Sequence, residues 1–334
     1  MKKIIIKIAM AVLCVGAITA TAVTVPIVKT NSEMQANREN FAVNKIDKGD
    51  NMDAIHFMST GSSDAILLES DGRFALVDCA EDTDNPRGFE DLELDGFEDR
   101  VLDYLKSTVA DANGNIVLDF VVGTHAHSDH IGGFDTIISH PQVFVKKAYL
   151  KVYDESKISD YEVENWDNQE VYDQMINALN SKNIPIVSDI DGTPFTFGNF
   201  TLTFFNTEDN DTEKVGENDR SLGLLVEKNG ARVFLAGDIE NESGDEDILA
   251  PQIGKVDLLK VGHHSYSSAT SKGWVQTLMP SVCVVTNAEE KVDKRILRRI
   301  TRIANCPILI TGAENGVIAQ IHDDGTITYH NDIH

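Results

Sequence analysis

One short segment limits what this chain of 334 residues can fold into more than any other part of its sequence. A mostly apolar run, residues 116–123, leads almost directly into His125, His127, Asp129 and His130. The apolar run predicts a buried strand, and alternate side chains of an extended segment point the same way. We therefore expect His125 and His127 to converge on one point, with Asp129 and His130 nearby where the chain turns into a helix.

The four side chains of this segment have the chemistry of metal ligands. Neutral imidazole and carboxylate oxygen suit zinc, manganese or iron. Gly132 and Gly133 follow the segment and would let the backbone pass close to it. Four such groups at this spacing after a buried strand favour a metal site over an ordinary polar loop.

The rest of the chain from residue 51 onward reads as short strands and helices. Strands are predicted at 53–58, 64–69, 73–78, 143–152, 195–205, 221–227, 231–236, 256–261, 282–286, 307–311 and 317–322. Helices are predicted at 101–108, 129–139, 168–181, 269–278 and 292–304. Two runs of strands, each closed by helix–strand units, indicate an α/β domain over 51–334 with two sheets packed face to face and helices outside.

The N-terminal segment has the pattern of an export signal. Lys2, Lys3 and Lys7 precede an uncharged apolar run that extends to about residue 25, and A-T-A ends at Ala22. This predicts a secretory signal over 1–22, cleaved after Ala22, or else an uncleaved membrane anchor. A polar spacer is predicted over 23–50. Either reading places the catalytic domain outside the cytoplasmic membrane, secreted or anchored, with membrane contact only through the N-terminal segment.

The net charge limits which partners the protein can bind, and the cysteine content limits which disulfides it can form. The formal net charge is −25, and −28 without residues 1–22, so the protein repels polyanions in bulk and nucleic acid is not favoured as a partner. Beyond the signal there are three cysteines without C-x-x-C spacing. We expect no disulfide framework, although one Cys283–Cys306 bridge stays open.

Four motifs resemble those of the metallo-β-lactamase superfamily. T-H-A-H-S-D-H-I-G-G, residues 124–133, resembles the family's H-x-H-x-D-H signature. The strand that ends at Asp78, the F-L-A-G-D segment that ends at Asp238, and L-L-K-V-G-H-H, which ends at His264, resemble other family motifs in the expected order. The resemblance covers about 53–268 and implies a four-layer αββα sandwich.

The resemblance also implies a ligand set for two divalent metal ions, zinc first, with manganese or iron as alternatives. The implied metal ligands are His125, His127, Asp129, His130, Asp238 and His263 or His264. His263 is slightly preferred because it is nearer the strand end. Asp78 would orient a ligand, and Asp78, Asp129 and Asp238 are the implied catalytic carboxylates.

One departure from the common family pattern is informative. Most members have a further metal-binding histidine between the H-x-H-x-D-H signature and the aspartate that bridges the two metals, which the resemblance implies is Asp238. Between His130 and Asp238 this chain has only His140, beside Pro141 near a predicted helix end. We expect His140 at the surface. A branch with N-x-x-S-L lacks that histidine, and residues 218–222 match it. This branch holds the ComEC-type DNA-uptake channels and the phosphorylcholine esterases, and the second group looks more similar.

These features predict an exported metal-dependent hydrolase. The favoured function is a phosphodiesterase that acts on phosphorylcholine- or teichoic-acid-like esters of the cell envelope through a metal-bound hydroxide. Trp166, Asn218 and Ser221 are candidate substrate-binding residues, and Trp166 could form an aromatic wall with Tyr161 and Tyr172.

Three alternatives remain open. A ComEC-like nuclease would use the basic stripe of the predicted helix 292–304, although a solvated helix face explains the same stripe. Another ester or amide hydrolase of the same fold is the second alternative. A metal-bound module of the envelope without catalytic activity is the third.

Overall fold

The computed structural model describes residues 52–83, 95–208 and 213–334. The predicted signal or anchor, 1–22, and the predicted spacer, 23–50, lie outside these residues and stay predictions. Within the described part of the chain, no helix combines the length and the apolar character that crossing a membrane requires.

Short apolar runs separated by turns give the described residues seventeen strands. In chain order they are β1 (Ala54–Phe57), β2 (Ile66–Ser70), β3 (Arg73–Val77), β4 (Ile116–Leu118), β5 (Phe120–Gly123), β6 (Val143–Val145), β7 (Ala148–Leu150), β8 (Ile186–Val187), β9 (Phe195–Phe197), β10 (Phe200–Phe205), β11 (Gly223–Lys228), β12 (Ala231–Leu235), β13 (Leu258–Lys260), β14 (Val282–Val285), β15 (Ile308–Ile310), β16 (Val317–Ile321) and β17 (Ile327–Asn331).

The same residues contain nine α-helices and three short 3-10 segments. The α-helices are α1 (Glu98–Thr108), α2 (Ser128–Ile131), α3 (Phe134–Ser139), α4 (Asp160–Asn165), α5 (Asn168–Ser181), α6 (Asp245–Ile253), α7 (Lys272–Leu278), α8 (Lys294–Ile303) and α9 (Thr311–Glu314). The 3-10 segments are Glu155–Lys157, Glu217–Arg220 and Gly262–Ser265.

The strands form two large sheets. The first has eight strands in the order β17-β16-β1-β2-β3-β5-β7-β8, and the second has seven in the order β15-β14-β13-β12-β11-β10-β9. Aromatic side chains join them, because Phe120 of β5 lies edge-on to Phe195 and Phe197 of β9, with ring centroids 6.0 and 5.2 Å apart. The predicted α/β architecture with two sheets face to face is confirmed.

Apolar helix faces cover the sheets. α1, α3 and α5 place Leu105, Phe134 and Met175 in one buried core with side chains of the first sheet. On the second sheet, Trp274 of α7 lies edge-on to Phe234 of β12, with centroids 5.8 Å apart. Burying a large apolar side chain stabilises a fold by about 1.5–3 kcal/mol, so these contacts fix the helices as outer layers.

One predicted helix is interrupted for a steric reason. The pattern predicts a helix over 129–139, but α2 ends before Gly132 and α3 begins after Gly133. A Cβ at Gly133 would lie 2.4 Å from the carbonyl oxygen of Cys79, and one at Gly132 would lie 2.5 Å from that of Ser128. The two glycines therefore let this bend pass against the loop that follows β3.

Parallel pairing gathers the predicted site residues at one edge. β3 pairs in parallel with β5, and β12, β13 and β14 pair in parallel in the second sheet. The carboxyl ends of neighbouring parallel strands share an edge, which is where ligand sites form in α/β folds. Asp78 follows β3, Asp238 follows β12 and His264 follows β13, while His125 comes two residues after β5.

Candidate metal centre

Backbone hydrogen bonds hold the loops of the first sheet together at this edge. The Asp78 N–H donates to the Val122 carbonyl at 2.9 Å, and the Cys79 N–H donates to the His130 carbonyl at 2.7 Å. The histidine-rich segment is thus fixed to the end of β3.

The first imidazole pair is His125 and His127, which are 2% and 6% exposed. The two rings approach to 3.1 Å between His125 Nε2 and His127 Nδ1. The Thr124 hydroxyl donates to Asp78 Oδ2 at 2.7 Å. The Thr124 oxygen therefore accepts from His125 Nδ1, at 3.1 Å. Glu162 Oε2 lies 3.3 Å from His127 Nε2 and accepts the proton there. The two facing nitrogens therefore present lone pairs to each other.

The second imidazole pair repeats this arrangement. His130 Nε2 lies 3.1 Å from His264 Nε2. On the far side of each ring, His130 Nδ1 donates to Asp78 Oδ2 at 2.8 Å, and His264 Nδ1 donates to the Thr286 carbonyl at 2.9 Å. When both rings are neutral, two lone pairs again face each other across a gap that suits a shared cation.

Two carboxylates complete the second donor set. Asp238 Oδ2 lies 3.2 Å from His130 Nε2 and 3.4 Å from His264 Nε2, and Asp129 Oδ2 lies 3.3 Å from His264 Nε2. One donor atom from each of these four residues lies within 4.8 Å of all the others. Two imidazole nitrogens and two carboxylate oxygens form a ligand set that a divalent cation such as zinc accepts.

The electrostatics of this set attract positive charge. Burial favours a neutral His264, but Asp238 and Asp64 raise its pKa to about 9. Burial has the same effect on His130, and Asp238 and Asp129 hold its pKa well above the usual range. Burial raises the pKa of Asp129, yet His130 and His264 lower it to about 2. Without a metal the site takes up extra protons, and a cation would replace them.

Lys260 and Asp64 form a buried ion pair next to the centre. Lys260 Nζ lies 2.5 Å from Asp64 Oδ2 and 3.5 Å from Asp238 Oδ1, and it donates to the Gly237 carbonyl at 2.8 Å. A second acidic group of Asp64, Asp78 and His130 could also hold a cation by its spacing. The Lys260 ammonium already supplies positive charge there, so the other set is the better candidate for a cation.

A strained turn determines which late histidine enters the centre. His263, His264 and Ser265 all have left-handed φ angles, 45°, 47° and 71°. Such angles cost free energy in residues other than glycine and persist only where the surroundings impose them. Here the Asn287 side chain donates to the His264 carbonyl at 2.8 Å, and the Asp293 N–H donates to Ser265 Oγ at 3.2 Å.

The turn places His264, rather than the preferred His263, in the donor set. His264 is fully buried, whereas the His263 side chain is 23% exposed and its Nε2 lies 3.9 Å from Asp238 Oδ2. His263 Nδ1 contacts Glu240 and lies 2.9 Å from Ser268 Oγ. Nearness to the strand end is therefore a poor guide here, because the left-handed turn brings the second histidine inward.

The three candidate substrate-binding residues all lie next to site imidazoles. Trp166 is 37% exposed and stacks on His127, with ring centroids 5.4 Å apart at an angle of 24°. Ser221 Oγ lies 3.0 Å from His125 Nδ1, and Asn218 Nδ2 lies 3.4 Å from His263 Nε2. Ser221 thus supports a ligand ring, while Trp166 and Asn218 border the exposed side of the centre.

Tyr161, Tyr172 and His140, the other residues considered from the sequence, make their described contacts away from the site imidazoles. Tyr172 packs on Tyr153, with centroids 5.9 Å apart, and Tyr161 is 68% exposed on α4. His140 ends α3, and its Nδ1 accepts from the Gln142 N–H at 3.3 Å. These contacts give His140 a local role at the helix end.

Several functional neighbours escaped the sequence analysis. Glu162 supports His127 from α4, and nothing in the sequence around it signals that role. Asp64 begins the predicted strand 64–69, and Lys260 lies in the L-L-K-V-G-H-H motif. The charge of Lys260 within an apolar strand was a usable signal. Glu240, two positions after Asp238, was an equally usable one.

Comparison with known proteins adds the following. A family model described as "Beta-lactamase superfamily domain" matches residues 99–277. "ComE operon protein 3" of Bacillus subtilis (strain 168) is 26% identical over 180 residues, which are 52% of this chain and 20% of that protein. "Recombination protein 2" of Haemophilus influenzae is 25% identical over 232 residues, which are 69% of this chain and 24% of that protein. The matched region is a quarter or less of either relative's length.

Solved structures are also similar in part. The metallo-beta-lactamase fold protein YhfI from Bacillus subtilis aligns with a TM-score of 0.48 and 16% identity, over 77% of this chain and 96% of its own. Zn(2+)-bound PqqB from Methylobacterium extorquens aligns with a TM-score of 0.41 and 13% identity, over 74% of this chain and 84% of its own.

Proposed function

This chain belongs to the beta-lactamase superfamily, and from that premise we propose that it is an exported phosphodiesterase with two divalent metal ions, acting on phosphodiesters of the cell envelope. The proposal is carried by the two imidazole pairs whose lone pairs face each other. The pairs are neighbours, since the ring centroids of His125 and His130 lie 4.1 Å apart. When bound, two neighbouring cations acidify water and neutralise charge on both oxygens of an in-line phosphoryl displacement.

The protein's own groups hold the ligands in one orientation. Asp78, Glu162 and the Thr286 carbonyl each accept the far-side proton of a ligand imidazole, which fixes the ring and its tautomer. Lys260 offsets part of the negative charge of Asp64 and Asp238. The Asp129 side chain is 24% exposed, so the substrate would enter on its side of the centre.

His263 has the geometry of a proton donor to the leaving group. Its Nδ1 contacts Glu240, and Ser268 Oγ donates to the same carboxylate at 2.7 Å. These contacts hold the His263 ring at Nδ1 and leave its Nε2 toward the partly exposed side of the centre. His263 would then protonate the departing alkoxide oxygen as the bond from phosphorus to that oxygen breaks.

The test combines metal analysis with a panel of substrates. We expect the purified protein to contain close to two equivalents of metal and to hydrolyse p-nitrophenyl phosphorylcholine and bis(p-nitrophenyl) phosphate faster than p-nitrophenyl phosphate or nitrocefin. Asp238→Asn should lose metal and turnover together. Full activity after metal removal, or turnover of nitrocefin alone, would contradict the proposal.

Export needs a separate test. We expect the mature protein outside the cytoplasmic membrane, and its N-terminal sequence will tell a cleaved signal from a retained anchor. Recovery of the full-length chain from the cytoplasm alone would refute this part of the proposal.

A nuclease is the second candidate, because the name of one similar protein, "Recombination protein 2", points to nucleic acid. Hydrolysis of a labelled single-stranded oligonucleotide at low salt, compared with p-nitrophenyl phosphorylcholine under the same conditions, separates the two. Faster hydrolysis of the oligonucleotide would make the nuclease the main function.

A further inference from the structure

A concave basic surface lies between α7 and α8. We call it the basic pocket. It has a volume of about 490 Å³ and is lined by Lys272, Arg295, Arg298, Arg299, Arg302 and Ile303. Five cationic side chains around one cavity stand out in a chain whose formal net charge is −25.

In the described contacts, the five cationic side chains of the basic pocket face two carboxylates, those of Asp293 and Glu246. Arg298 Nε donates to the Lys294 carbonyl at 3.0 Å, and Arg299 Nη1 donates to the Thr270 carbonyl at 2.5 Å. Arg295 pairs with Asp293 at 2.7 Å, and Arg298 interacts electrostatically with the same carboxylate. Arg299 also interacts electrostatically with buried Glu246. The pocket therefore keeps a positive field that an anionic ligand could satisfy.

The basic pocket is connected to the metal centre by one short loop. Ser265, which follows His264, accepts from the Asp293 N–H in front of α8. Thr270 in the same loop accepts from Arg299, and Lys272 begins α7 directly after it. The basic pocket thus borders the loop that carries His264.

The chemistry of the lining favours phosphates without bases. Four guanidinium groups suit phosphate oxygens, which they can bind in a bidentate manner. Proteins that hold single-stranded nucleic acid usually add aromatic side chains on which bases stack. None of the residues that line the basic pocket in the described structure is aromatic.

We propose that the basic pocket binds the backbone of a base-free phosphodiester polymer, of the poly(glycerol phosphate) class, while another linkage of the same polymer lies at the metal centre. The inference rests on the proposed phosphodiesterase function and narrows it to a polymeric substrate. It also explains how a strongly acidic protein holds a polyanion, because attraction is confined to one local surface.

The experiment measures binding of the full, metal-loaded chain to immobilised poly(glycerol phosphate) by surface plasmon resonance. Arg298→Glu/Arg302→Glu should weaken initial binding by at least about tenfold, and the slope of log affinity against log salt should fall by roughly 1 to 2. Arg298→Lys/Arg302→Lys keeps the charge and should lose less. Lys106→Glu, at an exposed position on α1, is the matched charge control for Arg302→Glu alone and should bind as the unchanged protein does.

The outcomes are distinct. Thermal unfolding of the double Glu variant checks that it is folded. Equal binding by that variant overturns the proposal, and so does equal or tighter binding of oligothymidylate with the same number of phosphates, which would assign the pocket to nucleic acid. Because binding is read without turnover, a polymer that binds but is not cleaved would count against the phosphodiesterase and leave the pocket intact.

Discussion

Each ligand imidazole of the candidate centre has a proton acceptor behind it, and this pairing determines which nitrogen faces the metal. The clustering of His125, His127 and His130 could be predicted because these residues follow a buried strand in a recognisable pattern. The choice of His264 could not, because it depends on the φ angles of a three-residue left-handed turn. Glu162 could not be predicted either, since tertiary packing alone brings α4 to His127.

The Glu162 contact gives a prediction at this scale. Glu162→Gln removes the charge that holds the proton on His127 Nε2, so we expect metal affinity to fall by about 10- to 100-fold. Affinity is measured by competition with a chelator of known strength. Glu164→Gln, on the exposed side of the same helix, is the matched control and should bind metal normally. An equal loss of metal affinity in both variants would show that the effect comes from a change in the helix and not from the contact between Glu162 and His127.

His263 gives a second prediction. His263→Asn should slow hydrolysis of alkyl phosphodiesters by about 10²- to 10⁴-fold, because alkoxides need a proton to leave. Hydrolysis of p-nitrophenyl esters should change far less, since p-nitrophenolate leaves without one. Metal content should stay at the level of the unchanged protein. A uniform loss on both kinds of ester, or loss of metal, would instead make His263 a ligand.

At the scale of elements, strands were easier to predict than helices. Short apolar runs with turn residues between them identify most strands of both sheets. The helix α4, D-Y-E-V-E-N, has no repeating apolar face, and α6 contains Pro251, so neither was predicted. The predicted strand 116–123 divides at Asp119, whose carboxylate pairs with Arg73 and Lys146 just before β5. The spacing of apolar residues indicates which positions of one segment are buried, but it carries no information about ion-pair partners from other segments.

The junction between α6 and the metal loop gives a pH prediction. Glu246 in α6 accepts from the N–H groups of Thr270 and Ser271, and burial raises its pKa from 4.5 to about 7. The folded state therefore holds the proton more tightly than the unfolded state does. The contribution of protonated Glu246 to the free energy of unfolding is complete below pH 4.5. It is lost as the pH rises to about 7, and the loss is on the order of 2–4 kcal/mol.

The measurement compares free energies of unfolding in urea. The free energy of unfolding of the unchanged protein should fall relative to that of Glu246→Gln as the pH rises from 4.5 to about 7. Above that pH the difference between the two proteins should stay constant. Glu242→Gln changes an exposed residue of the neighbouring loop and is the control. The same pH dependence in both comparisons would show that Glu246 is not its source.

At the scale of the whole molecule, the candidate centre joins the two sheets. His125, His127 and His130 belong to the first sheet's loops, while Asp238 and His264 belong to the second sheet's. We therefore expect metal to stabilise the entire fold, by about 2.7 kcal/mol at a free concentration of 100 times its Kd. Thermal unfolding with metal and with chelator tests this, and Asp238→Asn should show a smaller difference. No difference in the unchanged protein would separate metal binding from folding.

The pairing of β1 with β16 has a consequence for how the molecule comes together. The Ser59 N–H, just past β1, donates to the His334 imidazole, a contact that spans 275 positions. The earliest strand of the described structure therefore has an open flank until one of the latest arrives, and loops closed over such distances form slowly. A ribosome or translocase that releases this chain in order would hold an unfinished sheet for most of that time, so the exposed flank of β1 should be the place where premature association begins.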